Sequence, residues 1–204
     1  MPGLINVVIT NMSVVLLTGI AGRLGQEVAI GYAMGARLEY ILIPLGFGFG
    51  TAILAMVGTN WGAKQYSRAR EIAWTGAATL ATTCAMIGLI AAVFPEVWLG
   101  LFSSDEKVIR VGTWYLQIVG PIYGFYGLGI ALHFAMQGFG SVVLIVVANG
   151  VRLLASAGGA LIAIYWLDLG VIGFFVAVAV GFFAFAAMAV SIMFRLKEPG
   201  ATRP

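Results

Sequence analysis

Residues 28–57 read VAIGYAMGARLEYILIPLGFGFGTAILAMV, thirty residues that carry only Arg37 and Glu39 as charges. A bilayer span needs about 20 mostly apolar residues, and a helix of this length would reach about 45 Å. Near its middle lies Pro44, followed by Gly46, Gly48 and Gly50. Proline removes a backbone hydrogen bond and kinks a helix, while glycine lets neighbours or water approach the freed carbonyls. Outward from this stretch, five further apolar segments read as spans: residues 4–21, 72–94, 108–136, 142–166 and 169–194. None alternates as a barrel strand would, and lipid offers no partner to open backbone groups, so each is read as a helix. The expected architecture is an all-α, polytopic membrane protein. A six-helix bundle covers residues 1–196, and a short polar tail covers 197–204.

Composition agrees. Hydrophobic residues make up 61% of the 204 and charged residues 9%, against about a quarter charged in globular chains. Eleven Lys and Arg against eight Asp and Glu give +3, but the cations are scattered and form no stripe for nucleic acid. Cys84 and His133 are single, which excludes an internal disulfide, a Cys/His metal cluster and any resident cofactor of that kind. There is no His-Glu-x-x-His and no Gly-x-Ser-x-Gly, so an enzyme is not expected. The start, Met1-Pro2-Gly3, lacks the positive region of a signal peptide, and the first apolar stretch is expected to stay in the mature chain.

The fourth segment resembles the second. Pro121 lies amid Gly120, Gly124, Gly127 and Gly129, and Gln137 follows it by the same 16 residues that separate Asn60 from Pro44. The common offset of 77 points to a weak repeat of parallel helices, each ending in a glycine-containing turn. Orientation follows from cations in short loops. Lys64, Arg68, Arg70, Arg195, Lys197 and Arg203 fall on one side, and Arg23, Lys107 and Arg110 on the other, which places both termini in the cytoplasm. On the outer side Trp98, Leu99, Leu101 and Phe102 suit headgroup depth, and Ser103 with Glu106 makes a capping-box pattern.

Polar groups inside the spans are the functional candidates. Asn6, Thr10 and Ser13 share one helical face, and Asn11 and Thr18 another. Thr75, Thr79 and Thr82 repeat the theme, and Asn149, Arg152 and Ser156 share a face of the fifth span. Such groups serve either as inter-helix glue or as solute contacts. Ionisable groups at depth cost about 2.5–3.5 kcal/mol each and need compensation. Arg37 and Glu39 point apart on a helix. Counted from the cytoplasmic ends, Glu39 lies roughly 31 Å deep and Arg152 roughly 18 Å, so the two are not expected to pair. Glu39 is expected to line the outer half of a wet cavity, with Arg37 above it reaching toward the interface. His133 reads either as a packed core residue or as a proton relay.

These residues resemble the C-terminal half, spans seven to twelve, of a multidrug and toxic compound extrusion (MATE) transporter. The likeness runs through RLEYILIPL (37–45), GFGFGTA (46–52), VGTNWGA (57–63), RAREIAW (68–74) and IVGPIYGFYGLGIALHFAMQGFG (118–140). It implies an inner-membrane antiporter that expels drugs or organic cations, small amphipathic compounds, in exchange for inward H⁺ or Na⁺. Two six-helix bundles would face each other across a cavity, so a second bundle or a homodimer partner is implied in the lipid bilayer. The chain departs from the family where acids are known. The stretch matching the seventh span offers Asn6, Thr10 and Asn11, and the end of the tenth offers Gln137. Glu39 is the mid-span acid available for coupling. The transport candidates are therefore Glu39, Arg37, Arg152, Asn149, Asn11, His133 and Gln137, with helix breaks at Pro44 and Pro121. Two alternatives stand beside this reading: a flippase for lipid-linked oligosaccharides, with Arg37 and Arg152 holding pyrophosphate, and a truncated remnant whose polar faces only bind helices together.

Overall fold

The computed structural model describes residues 2–196, and side chains over 8–141 and 146–196. Ten α-helices account for nearly all of this. They are α1 (Pro2–Leu24), α2 (Gln26–Ala36), α3 (Glu39–Gly62), α4 (Tyr66–Val93), α5 (Pro95–Leu99), α6 (Glu106–Val119), α7 (Tyr123–Gly138), α8 (Val142–Leu153), α9 (Gly159–Tyr165) and α10 (Gly170–Arg195). Among the described residues, five stretches are long and apolar enough to cross a bilayer: Gln26–Gly62, Tyr66–Val93, Glu106–Gly138, Val146–Tyr165 and Gly170–Arg195. The described apolar part of α1, Val8–Leu24, is shorter than these five. The chain is a multi-pass, all-helical membrane protein. The polar tail from residue 197, with Lys197 and Arg203, lies outside the described residues.

Both long spans are broken, but differently. In the first, Leu38 N–H donates to Gly35, Tyr40 to Arg37 and Ile41 to Leu38, a run of three-residue turns at the α2–α3 junction. Pro44 itself lies inside α3. Its ring crowds the carbonyl of Tyr40, four residues back, and the tightened turn runs up to that point. The break thus falls a turn and a half before the proline. In the second, Pro121 sits within the break, a 3₁₀ turn over Gly120–Ile122. The offset of 77 therefore does not carry over to the breaks. It does carry over, within one residue, to the helix ends. Gln65 N–H reaches back to Asn60 and Ser141 to Met136, both at 2.9 Å, around Lys64 (φ 61°) and Gly140 (φ 78°). These are left-handed helix stops of the Schellman kind. The first of them uses a lysine rather than a glycine.

Contacts set the relative directions. Gly31 and Gly35 meet Val111 and Tyr115, while Gly46 and Gly50 meet Ile130 and Phe134, so α2–α3 and α6–α7 run parallel. Gly88 meets Gly120, Ala85 meets Gly124, and Leu80 and Cys84 meet Gly127, so α4 runs antiparallel to α6–α7. Without a hydrophobic driving force between helices in lipid, such small residues gain dispersion by close backbone approach. α10 closes the core through rings: Phe175 on Tyr115, Phe182 on Tyr123 and Tyr126, at 4.9–6.1 Å between centroids.

The outer loop folds back on the bundle. Trp98 Nε1 donates to the Met34 carbonyl at 3.1 Å. The α6 cap differs from the capping-box expectation. Ser103 Oγ is occupied by the Asp105 N–H at 3.0 Å, and Asp105 Oδ1 accepts from the Lys107 N–H at 2.9 Å, so Asp105 is the N-cap. Asp105→Ala is expected to lower stability by about 1 kcal/mol, and Ser103→Ala by less, read as melting shifts of the purified protein in detergent.

Candidate functional site

A cavity of about 380 Å³ opens among five helices. Its longest wall is α7, where Tyr126, Ile130, His133, Phe134 and Gln137 line it. The spacing of four, three, one and three residues keeps them on one face. α1 contributes Thr10 and Asn11, α3 Ile43 and Phe47, α8 Asn149 and Arg152, and α10 Phe185. The structure thus brings together Asn11, His133, Gln137, Asn149 and Arg152 from three helices. Thr10 and Asn11 both border the cavity although adjacent in α1, whereas Ser13 donates to the Ile9 carbonyl at 2.9 Å within its own helix. The side chain of Asn6 lies outside the described residues.

Arg152 is the charged group of this wall. Its guanidinium carbon lies 5.8 Å from the centroid of Phe182, and its Nε is buried with no hydrogen-bond partner among the described residues. Immediately beyond it the helix widens into a π turn over Leu154–Gly158, which no residue pattern announced. Gly181 of α10 faces that turn. A Cβ there would stand 1.7 Å from Ser156 Oγ, 2.9 Å from Ser156 Cβ and 3.2 Å from the Arg152 carbonyl oxygen, so only a glycine admits the turn at this distance. π turns inside α-helices recur at functional sites.

Glu39 does not line the cavity, contrary to expectation. It opens α3, and its Oε1 accepts a hydrogen bond from the hydroxyl of Tyr115, a fully buried residue. Tyr32 packs edge-on against Tyr115 at 5.5 Å, and the nearby Tyr123 hydroxyl is buried without a partner among the described residues. Glu39 and Arg152 have separate surroundings, the Tyr115 hydroxyl for the one and the Phe182 ring for the other. Arg37 is exposed at the α2 end and lies over the Phe102 ring at 4.9 Å. It stands away from the cavity, which leaves Arg152 without a second arginine for a pyrophosphate.

The threonines of α4 do not converge on this site. Thr79 and Thr82 donate to carbonyls four residues back at 2.9 Å. With Thr75, Thr79 borders a separate, wide-open groove between α3 and α4. Pro44 borders a shallow depression on α3. Among the described residues no three His, Cys, Asp or Glu side chains come together to hold a metal ion. Sequence reasoning missed Tyr115, Tyr123 and Tyr126. A tyrosine among Val108, Val111, Leu116 and Val119 on the inner face of α6 is the available signal, since a buried hydroxyl seeks a partner.

With this geometry in view, comparison with known proteins places the chain. The family model MatE matches residues 2–162. The chain belongs to the MatE family. A probable multidrug resistance protein NorM from Thermotoga maritima is 22% identical over 150 residues, covering 73% of this chain and 32% of that protein. Among solved structures, the MATE transporter ClbM in complex with Rb⁺ superposes with a TM-score of 0.88 at 18% identity, covering 95% of this chain and 45% of that one. The MATE transporter VcmN of Vibrio cholerae superposes at 0.86 and 19% identity, covering 95% and 44%. The chain therefore spans less than half the length of the MatE structures that share its fold, and its match covers about a third of the NorM relative. Members of the MatE family are transporters, not enzymes.

Proposed function

We propose that this MatE chain is one bundle of a secondary transporter that exports small amphipathic compounds, drugs among them, against an inward H⁺ or Na⁺ gradient. The observation that carries the reading is the 380 Å³ cavity, where polar side chains from α1, α7 and α8 meet an apolar wall in the middle of long, broken spans. Small-molecule pockets have this mixture and this size, and discontinuous helices around a midplane site are the mark of secondary transporters. Glu39, held by Tyr115 at the α2–α3 break, is the acid through which the driving cation acts. Rocking needs an opposing bundle, and the half-length coverage of the structural relatives supports pairing with a second bundle or a second copy. The cations Lys64, Arg68, Arg70 and Arg195 gather where α3, α4 and α10 meet, with Arg70 donating to the Leu196 carbonyl. By the positive-inside rule that end faces the cytoplasm of the inner membrane, and both termini with it.

The test is export of ethidium and of dansylglycine from proteoliposomes under an imposed H⁺ or Na⁺ gradient. Gradient-dependent export of at least one probe is expected, rising with protein-to-lipid ratio as partners meet, and Glu39→Gln is expected to lower it at least tenfold. Export equal to that of protein-free vesicles overturns the reading. Export untouched by Glu39→Gln removes the coupling role, and full activity of isolated copies removes the need for a partner.

A further inference from the structure

We propose that the cavity between α1, α3, α7, α8 and α10 selects substrates bearing an anionic group, a carboxylate on an aromatic or aliphatic body, rather than organic cations. The inference rests on reading this cavity as the transport pocket and adds the charge of what enters it.

Three observations carry it. The first is the lining itself. Among the described residues, Arg152 is the one permanent charge of the lining, and no Asp or Glu borders the cavity. The amides of Asn11, Gln137 and Asn149, the hydroxyls of Thr10 and Tyr126 and the imidazole of His133 complete its polar part, and all of these side chains can donate a hydrogen bond. An organic cation entering here would meet a guanidinium with no carboxylate beside it, an arrangement that disfavours it.

The second is the state of Arg152. A buried guanidinium N–H with no acceptor is costly to keep, and its Nε is in that position. A carboxylate supplies the missing acceptor, and the planar fork of guanidinium N–H groups can engage both carboxylate oxygens at once. Phe182 backs the cation at 5.8 Å and Tyr126 packs on the same ring at 4.9 Å, so the half-buried guanidinium rests on an aromatic wall, where such a bond is stronger than in open water.

The third is the whereabouts of the nearest candidate counter-ion. Glu39 keeps its charge while accepting from the Tyr115 hydroxyl, but it does not border the cavity, so the side of Arg152 that faces the cavity meets no carboxylate among the lining residues. The apolar surfaces of Ile43, Phe47, Ile130 and Phe185 then leave room for the hydrophobic body of the substrate.

The experiment uses two probes with one fluorophore and opposite charges: dansylglycine, a carboxylate, and dansylethylenediamine, an ammonium. Each is titrated against the purified chain in nanodiscs of zwitterionic lipid, with empty nanodiscs as blank. Dansylglycine is expected to bind at least tenfold more tightly than the ammonium probe, the effect of about one charge-assisted hydrogen bond. Arg152→Gln is expected to weaken dansylglycine at least tenfold, and Arg152→Lys, which keeps the charge but not the fork, by less. Size-exclusion profiles establish that the variants fold. Should Arg152→Gln not fold, the preference of the unaltered chain between the probes and the Arg152→Lys titration still decide the matter. Equal binding, a preference for the ammonium probe, no binding of either, or dansylglycine affinity untouched by Arg152→Gln overturns the proposal. Binding in nanodiscs needs neither gradient nor partner bundle. Loss of the charge preference with Glu39-dependent export intact therefore sinks only this inference, and the preference without export sinks only the transporter reading.

Discussion

Replacing Gly88 by alanine is expected to cost about 3 kcal/mol or more, at the upper end of overpacking effects. The reason is the kind of atom in the way. A Cβ at Gly88 would stand 2.0 Å from the carbonyl oxygen of Gly120, and one at Gly120 would stand 2.6 Å from the carbonyl oxygen of Gly88. A side chain in conflict can rotate. A backbone oxygen fixed in the turn at Pro121 cannot, so α4 and the α6–α7 junction must separate. Separation also opens the contacts below, where a Cβ on Gly124 or Gly127 would stand only 2.8–3.0 Å from the side chains of Ala85 and Cys84, and dispersion in lipid falls away steeply with distance. For a chain of this size the loss corresponds to a fall in melting temperature of roughly 6–12 °C, read by thermal-shift size exclusion in detergent, and Gly88→Leu is expected to yield no folded protein. Gly19→Ala is the control. Nothing lies within 4 Å of a Cβ there, and alanine for glycine in an open helix position gains roughly 0.5–1 kcal/mol. A Gly88→Ala melt equal to that of the Gly19 control would mean that the crossing is looser than the structure has it.

Such crossings explain which parts of this protein can be read from its residues. The spans are legible because lipid imposes one requirement, a run of apolar residues, and residues 28–57 or 169–194 meet it visibly. The ends are less so: α3 runs on to Gly62 and α4 begins at Tyr66, because backbone hydrogen bonding carries a helix into the headgroup zone where polar side chains are welcome. Breaks are partly legible. Pro121 sits in one, whereas the other falls near Arg37 and Leu38, since a proline disturbs the turn before it and the chain relieves that where packing allows. The π turn after Arg152 has no marker in its own segment, and the glycine that leaves room for it, Gly181, lies on another helix. The same holds for the cavity. Asn11, His133, Gln137, Asn149 and Arg152 are each conspicuous as polar groups in apolar spans, but their meeting depends on how α1, α7 and α8 are placed. Helical spacing explains only the α7 row and the Asn149–Arg152 pair. Glu39 was conspicuous too, and depth alone separated it from Arg152. Its partner was hidden by being a tyrosine, a residue equally at home as packing.

That partner gives the second large effect. Tyr115→Phe keeps the ring among Tyr32 and Phe175 and removes only the hydroxyl that donates to Glu39 Oε1. A half-buried carboxylate that loses its donor bears the desolvation cost of that bond, about 1–3 kcal/mol. The other hydroxyl near by, on Tyr123, lies buried without a partner among the described residues, and a rotation that brought it to Glu39 would soften the loss. Tyr115→Phe is therefore expected to lower stability by about 2 kcal/mol, and Tyr115→Phe with Tyr123→Phe by more than the sum of the single changes. In a Glu39→Leu background the same Tyr115→Phe is expected to be close to neutral or stabilising, because no carboxylate then waits for the proton and an unpartnered hydroxyl is replaced by an apolar edge. Melting of the four proteins of the Tyr115–Glu39 cycle in detergent measures the coupling, expected at about 2 kcal/mol or somewhat more. Additive effects would show that the hydroxyl and the carboxylate act independently, and the role assigned to Tyr115 in holding Glu39 would fall with them.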